Sequence, residues 1–281
     1  MKPAPFQYRR PRDVAEALAD LRAAPDGKLL AGGQSLLAVM NLRLSRPSHL
    51  IDIGRLGELD RIFDDEDSLI VGALCTHRRL ETDPLVRSRA PLLAEAVGHV
   101  GHISIRNQGT VGGSVAHADP AAELPAALVA LDATLYVDRH DHPRREVPAE
   151  AFFLSFYTTV LEPAEMLTWI RVPAPERGTT WGFAEIARRR GDFASAGAAV
   201  VLSREADVVR QARCVLFGVA DRPILLDTAG LTGRSVTDEA VEAYAADATR
   251  DLDPPDEPEL RRAHARVCVT RALRDAARRE T

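Results

Sequence analysis

Cysteine is scarce and scattered. The three residues, Cys75, Cys214 and Cys268, lie far apart and none belongs to a CxxC pair. That excludes a disulfide framework, a structural zinc site and an iron–sulfur cluster held by this chain, which needs a full set of thiolate ligands. A basic surplus is also missing. Net charge is −5, and the arginines are interspersed with acids, so no nucleic-acid partner is expected. No apolar run approaches the ~20 residues of a membrane-spanning helix. The opening MKPAPFQYRRP lacks the apolar core of a signal peptide, so a cytoplasmic protein is expected. Familiar motifs are absent as well. There is no Walker Gly-Lys-Ser/Thr, no GxGxxG, and no GxSxG elbow around Ser35, Ser114 or Ser195. No Cys–His pair is recognisable, and the acidic run 64–68 lacks calcium-loop spacing. His99 and His102 have no third ligand placed beside them, and a metal is not expected.

What the chain does have is glycine in two places. Residues 105–125 read IRNQGTVGGSVAHADPAAELP, with Gly109, Gly112 and Gly113 close together among Asn107, Thr110, Val111 and Ser114. Residues 30–36 read LAGGQSL, placing Ala31, Gly32, Gly33, Gln34, Ser35 and Leu36 after a short apolar strand. Glycine admits positive φ and lets a ligand approach the backbone, and such loops can turn several N–H groups toward one anion. Strand, Gly-Gly, hydroxyl, helix is an anion-binding arrangement, with Ser35 placed to cap the helix that follows. Two such loops suggest the two jaws of one phosphate-binding clamp. Asp119, followed by Pro120, is placed to cap a helix that Pro125 interrupts. Nothing in the spacing of Asp119 and Glu123 favours acid–base work over capping, so the chain reads as a cofactor holder with few groups for chemistry of its own.

At 281 residues, one large or two ordinary domains are expected. Apolar periodicity predicts helices at 12–24, 91–100, 238–248 and 260–279, and strands at 50–53, 134–137, 167–172, 181–186, 195–202 and 209–219. A hairpin is expected at 61–72, and a helix capped by Thr76 runs to Glu81. The run PAPERG at 173–178 is the clearest linker.

The two loops, AGGQSL at 31–36 and RNQGTVGGS at 106–114, resemble those of the FAD-binding medium subunits of molybdenum hydroxylases, such as bacterial carbon monoxide, nicotine and xanthine dehydrogenases. KPAPFQYRRP, RPSHLIDI, HADPAAELP and RRRGDFASAG follow in family order, so the resemblance covers nearly the whole chain. It implies an α+β fold: a two-subdomain FAD-binding domain of the vanillyl-alcohol-oxidase/PCMH-like type at 1–175 (subdomains 1–56 and 57–175). A small antiparallel sheet covered by helices would follow at 176–281. It implies that the two loops clamp the FAD pyrophosphate, that Glu123 stands where an aspartate usually contacts the cofactor, and that Asp119 lies in the same run. Leu167 and Phe193, the latter after Gly191-Asp192, match residues beside the flavin ring. Relatives often carry a lysine near 184–185, where this chain has Ala184 and Glu185; Arg188 or Arg189 is the substitute that suggests itself. The implied role is electron relay. A large partner holds a molybdenum–pterin centre and a small partner holds two two-iron clusters, in a dimer of heterotrimers. The flavin passes electrons to NAD, oxygen or a quinone-linked acceptor. The alternatives are a self-contained flavin oxidase and a non-redox nucleotide-binding assembly subunit.

Overall fold

The computed structural model describes residues 2–279. Three sheets carry the architecture, and each follows from local pattern. The first is parallel, in the order Gln7–Arg9, His49–Asp52, Lys28–Leu30. Helix Val14–Ala23 packs Ala17, Leu18 and Leu21 against Ile51 and Ile53. Asp13 caps that helix by accepting from the Glu16 amide, so it starts later than periodicity alone suggests.

The second sheet is antiparallel, in the order Ile62–Asp65, Ser68–Gly72, Glu165–Pro173, Thr134–Arg139, Arg145–Pro148. Its last strand, REVP, is too short and polar to show in the sequence pattern. The third sheet runs Thr179–Ala187, Ala194–Glu205, Val208–Phe217, Ile224–Leu225. Both of its faces are covered, which explains the nearly unbroken apolar run ASAGAAVVL. One face puts Phe183, Ala199, Val215 and Phe217 into the large core that includes helix Glu123–Ala130. The other puts Ala198, Val200, Cys214 and Leu216 against the terminal helix Pro258–Arg278. The α+β class holds.

Three local expectations are corrected. Pro125 does not interrupt a helix: Glu123–Ala130 is continuous, with Pro125 in its first turn, where the missing N–H would have had no intrahelical partner. Asp119 does not cap it, because its carboxylate accepts from the Ala121 amide and closes a turn ahead of the helix. Ser35 makes no capping bond to helix Leu36–Asn41. An unexpected helix, Val111–His117, begins inside the second glycine loop. Each glycine costs it about 1 kcal/mol relative to alanine. Thr110, accepting from the Gly113 amide, and the burial of Val111 and Val115 outweigh that cost.

Candidate functional site

The two glycine loops meet. A Cβ built on Gly32 falls 2.1 Å from the Gln108 carbonyl oxygen and 2.8 Å from the Gly109 Cα, so only glycine allows this backbone contact. Gly33 has φ +71°, a left-handed turn that swings the chain from strand Lys28–Leu30 into helix Leu36–Asn41. Among the described residues, the amides of Gly32, Gly33, Gln34, Ser35 and Leu36 have no hydrogen-bond partner in the protein. Successive unpaired amides on a half-exposed turn are a concave donor surface for an anion.

The second loop differs from expectation. Val111 N–H donates to Cys75 O, Gly112 N–H to Ala73 O and Gly113 N–H to the Thr110 hydroxyl, so the start of its helix has no free amide to offer. Its contribution is space and side chains. Gly113 is exposed, and a Cβ there meets only Thr110 Oγ1 at 2.8 Å and Ala31 Cβ at 3.8 Å. Asn107 and Ser114, in the same loop, make no side-chain hydrogen bond among the described residues. This fits a phosphate group lying across the first loop with the second closing over it.

His77 holds the second loop in place, and no pattern in the sequence marks it. Its Nε2 lies 3.0 Å from Thr110 O. A carbonyl only accepts, so Nε2 carries the proton and Nδ1 is left unpaired in the interior. Burial pushes the imidazole pKa down to about 4. The His77 amide also donates to Gly109 O. Gly109 is glycine because a Cβ would stand 3.0 Å from this ring.

Beyond the helix Val111–His117, Glu123 is 7% exposed, and burial raises its carboxyl pKa to about 8. Helix Pro91–His99 and strand Thr179–Ala187 bring His99 and Glu185 together: Nδ1 lies 3.0 Å from Oε1, and Glu95 lies 3.8 Å from the other ring nitrogen. The position expected to leave a charge gap therefore holds a buried carboxylate paired to histidine. Arg188 turns instead to Asp192 at the surface.

A cavity of about 500 Å³ is lined by Asp119, Tyr157, Phe193, Ser195 and Arg261, among others. Phe193 is 74% exposed, so it is not a core residue between sheet and helices. Leu167 lies in the main core opposite Val137, at a bulge in its strand. Ser195 Oγ sits 2.9 Å from His264 Nδ1, a pairing the sequence did not reveal. Among the described residues, no carboxylate orients the far nitrogen of His264, so this is not a nucleophile triad.

Residues 4–175 match the model of the FAD binding domain in molybdopterin dehydrogenase, and 181–276 match that of the CO dehydrogenase flavoprotein C-terminal domain. The chain is 41% identical over 285 residues to the carbon monoxide dehydrogenase medium chain of Hydrogenophaga pseudoflava, covering 98% of each. It is 40% identical to the caffeine dehydrogenase subunit beta of Pseudomonas sp. strain CBB1, covering 80% of this chain and 76% of that one. A chain of the crystal structure of quinoline 2-oxidoreductase from Pseudomonas putida 86 superposes with a TM-score of 0.94 at 37% identity, over 99% of this chain and 98% of that one. The clamp of free amides facing a glycine gap sits within the matched FAD-binding domain of an oxidoreductase subunit: the chain is a member of the FAD-binding medium-subunit family of the molybdenum hydroxylases.

Proposed function

We propose that this chain is the electron-relay subunit of its complex. It takes electrons from iron–sulfur clusters on a small partner, and a large partner carries out the molybdenum–pterin chemistry on the substrate. The observation that carries this reading is the clamp itself: unpaired amides at 32–36 in backbone contact with a glycine-gapped second loop. Those amides would hold the FAD pyrophosphate, and Asn107 and Ser114 of the second loop would offer it polar side chains. When bound, FAD supplies the step that collects electrons and passes them on. Glu123 and Asp119 would make polar contacts to the cofactor, and Phe193, beside Asp192, would stand by the flavin ring on the acceptor's path. The assembly is a dimer of heterotrimers in the cytoplasm, and the acceptor is NAD, oxygen or a quinone-linked carrier. The FAD-holding part is 1–175, in subdomains 1–56 and 57–175, with 176–281 closing over it. The relatives act on substrates as different as carbon monoxide and caffeine by name, so the substrate is chosen by the large partner.

The purified chain is expected to take up FAD, seen as flavin's visible absorbance, and to oxidise no aldehyde or N-heterocycle by itself. Turnover of such a substrate by the isolated subunit would refute the relay. Phe193→Ala should move the melting temperature little, because an exposed side chain costs within about 0.5 kcal/mol on removal. Flavin reoxidation by oxygen or NAD should change severalfold. An unchanged rate removes Phe193 from the acceptor's path.

A further inference from the structure

His77 is the first residue of helix His77–Thr82, which Thr76 caps by accepting from the Arg79 amide. An amide in the first helical turn has no intrahelical partner. That of His77 donates to Gly109 O at 2.9 Å, and the same residue's Nε2 lies 3.0 Å from Thr110 O. One residue thus holds two consecutive carbonyls of the second glycine loop. The segment before it extends the contact, because Ala73 O and Cys75 O accept from the Gly112 and Val111 amides. Of these bonds, the imidazole makes the only one from a side chain. Gly109 touches the first loop as well: its Cα lies 2.8 Å from where a Cβ of Gly32 would stand. Its own Cβ would stand 3.0 Å from Cε1 and Nδ1 of the His77 ring. Contacts therefore run from the ring through Gly109 to Gly32, where the unpaired amides at 32–36 begin.

Packing alone does not account for a histidine here. The side chain is 4% exposed, and Nδ1 has no hydrogen-bond partner among the described residues. An unpaired buried acceptor lowers stability, and leucine would fill the same space without one. Thr110 O does not need the ring either, since it also accepts from the Ser114 amide at 3.0 Å. What the imidazole adds is a donor at a fixed distance from its own backbone. Burial keeps the ring neutral, with its pKa lowered to about 4, so it carries one N–H, which Thr110 O places on Nε2. We propose that His77 is a positioning residue for FAD: its two bonds to the second loop seat Gly109 against Gly32 and set the spacing of the clamp. This rests on the reading of the two loops as the cofactor's clamp.

The helix that carries His77 anchors the loop at a second point. Glu81, four residues on and on the same helix face, pairs with Arg106 at 3.1 Å. Arg106 opens the run RNQGTVGGS, and its Nη1 also donates to Val100 O and Gly101 O. Helix His77–Thr82 therefore holds the loop at its start through Glu81 and at its glycine stretch through His77. The two anchors do different work. Arg106 fixes where the loop leaves the preceding chain, and His77 fixes the part that meets Gly32. A loop set in place before the cofactor arrives need not be ordered at the moment of binding, and affinity rises by that saving in entropy.

His77→Leu fills the space and removes the donor. His77→Gln puts an amide nitrogen within reach of the place that Nε2 holds. Flavin titration of the full chain should show binding about tenfold weaker in His77→Leu, the size of one lost hydrogen bond. His77→Gln should stay within about threefold of the wild type. Denaturant midpoints of the flavin-free chains should rank the two the other way, with His77→Leu at least as stable as His77→Gln. A role in folding alone would give both measurements the same order. Wild-type affinity in His77→Leu, equal losses in both variants, or affinity that follows stability overturns the proposal. Heteronuclear NMR of the imidazole in the flavin-free wild-type chain depends on no variant. A proton on Nε2 with Nδ1 bare is expected, and a proton on Nδ1 overturns the proposal. A wild-type chain that takes up no flavin overturns the clamp reading and this proposal with it, whereas failure of the variants or of the NMR alone leaves the clamp standing.

Discussion

Gly32→Val is expected to leave the chain folded but to strip it of most of its flavin. The atoms that a side chain at 32 meets are backbone: the Gln108 carbonyl at 2.1 Å and the Gly109 Cα at 2.8 Å. Neither can rotate away, so the two loops must separate. Overpacking of this kind costs about 1–3 kcal/mol. The strain falls on a half-exposed contact at the edge of the fold, not on the main core. If it is spent on opening the clamp, FAD affinity falls by about 10–100-fold. Denaturant unfolding and flavin titration of the same preparation separate the two costs. Wild-type flavin affinity in this variant would show that the loops do not act as one site.

Gly113→Val probes the other jaw by a different route. Its Cβ meets the capping hydroxyl of Thr110 and otherwise projects into the gap toward Ala31. Folding should survive with a weakened cap, at about 1 kcal/mol, while the added methyls occupy the space assigned to the pyrophosphate. Full flavin occupancy would take Gly113 out of the clamp. Gly33 is glycine chiefly for its positive φ and the close Leu37 side chain, a backbone reason in place of the ligand contact that its motif suggests.

These glycines also mark how much the chain disclosed in advance. Elements with strong local signals were legible: 238–248, where Thr237 caps the helix through the Ala240 amide, and the hairpin of Ile62–Asp65 with Ser68–Gly72. The glycine loops were legible as a pair because their composition is unusual, and their contact is what the structure adds. The helix Val111–His117 was not legible, because two glycines in its first turn argue against helix and its support comes from Cys75 and Ala73 carbonyls distant in sequence. The role of His77 and the pairing of His99 with Glu185 were not legible for a related reason. Each gains its meaning from a partner on another element, and no periodicity records that strand Thr179–Ala187 will lay Glu185 against helix Pro91–His99.

The second large effect concerns pH and Glu123. Its carboxyl has a folded pKa of about 8 against an ordinary value of 4.5, because burial disfavours the charged form and Glu185 and Asp119 add to the effect. The folded chain thus holds a proton that the unfolded chain has lost between those two values. Stability from this group is fully present below pH 4.5 and declines as pH rises through 8. His99 acts in the same direction over a higher window, from 6.5 to about 9, while the depressed His77 acts oppositely between 4 and 6.5. The raw profile of the flavin-free chain therefore mixes these groups with others, among them His117, whose pKa burial also lowers. Subtracting it from that of Glu123→Gln isolates one, since the amide does not titrate. The stability difference should climb in favour of the variant from about pH 5 to pH 8, by a few kcal/mol, and then level off. Denaturant midpoints at intervals across that range give the curve directly. Parallel profiles would mean that Glu123 is ionised in the folded chain at neutral pH. It would then meet the cofactor as a carboxylate.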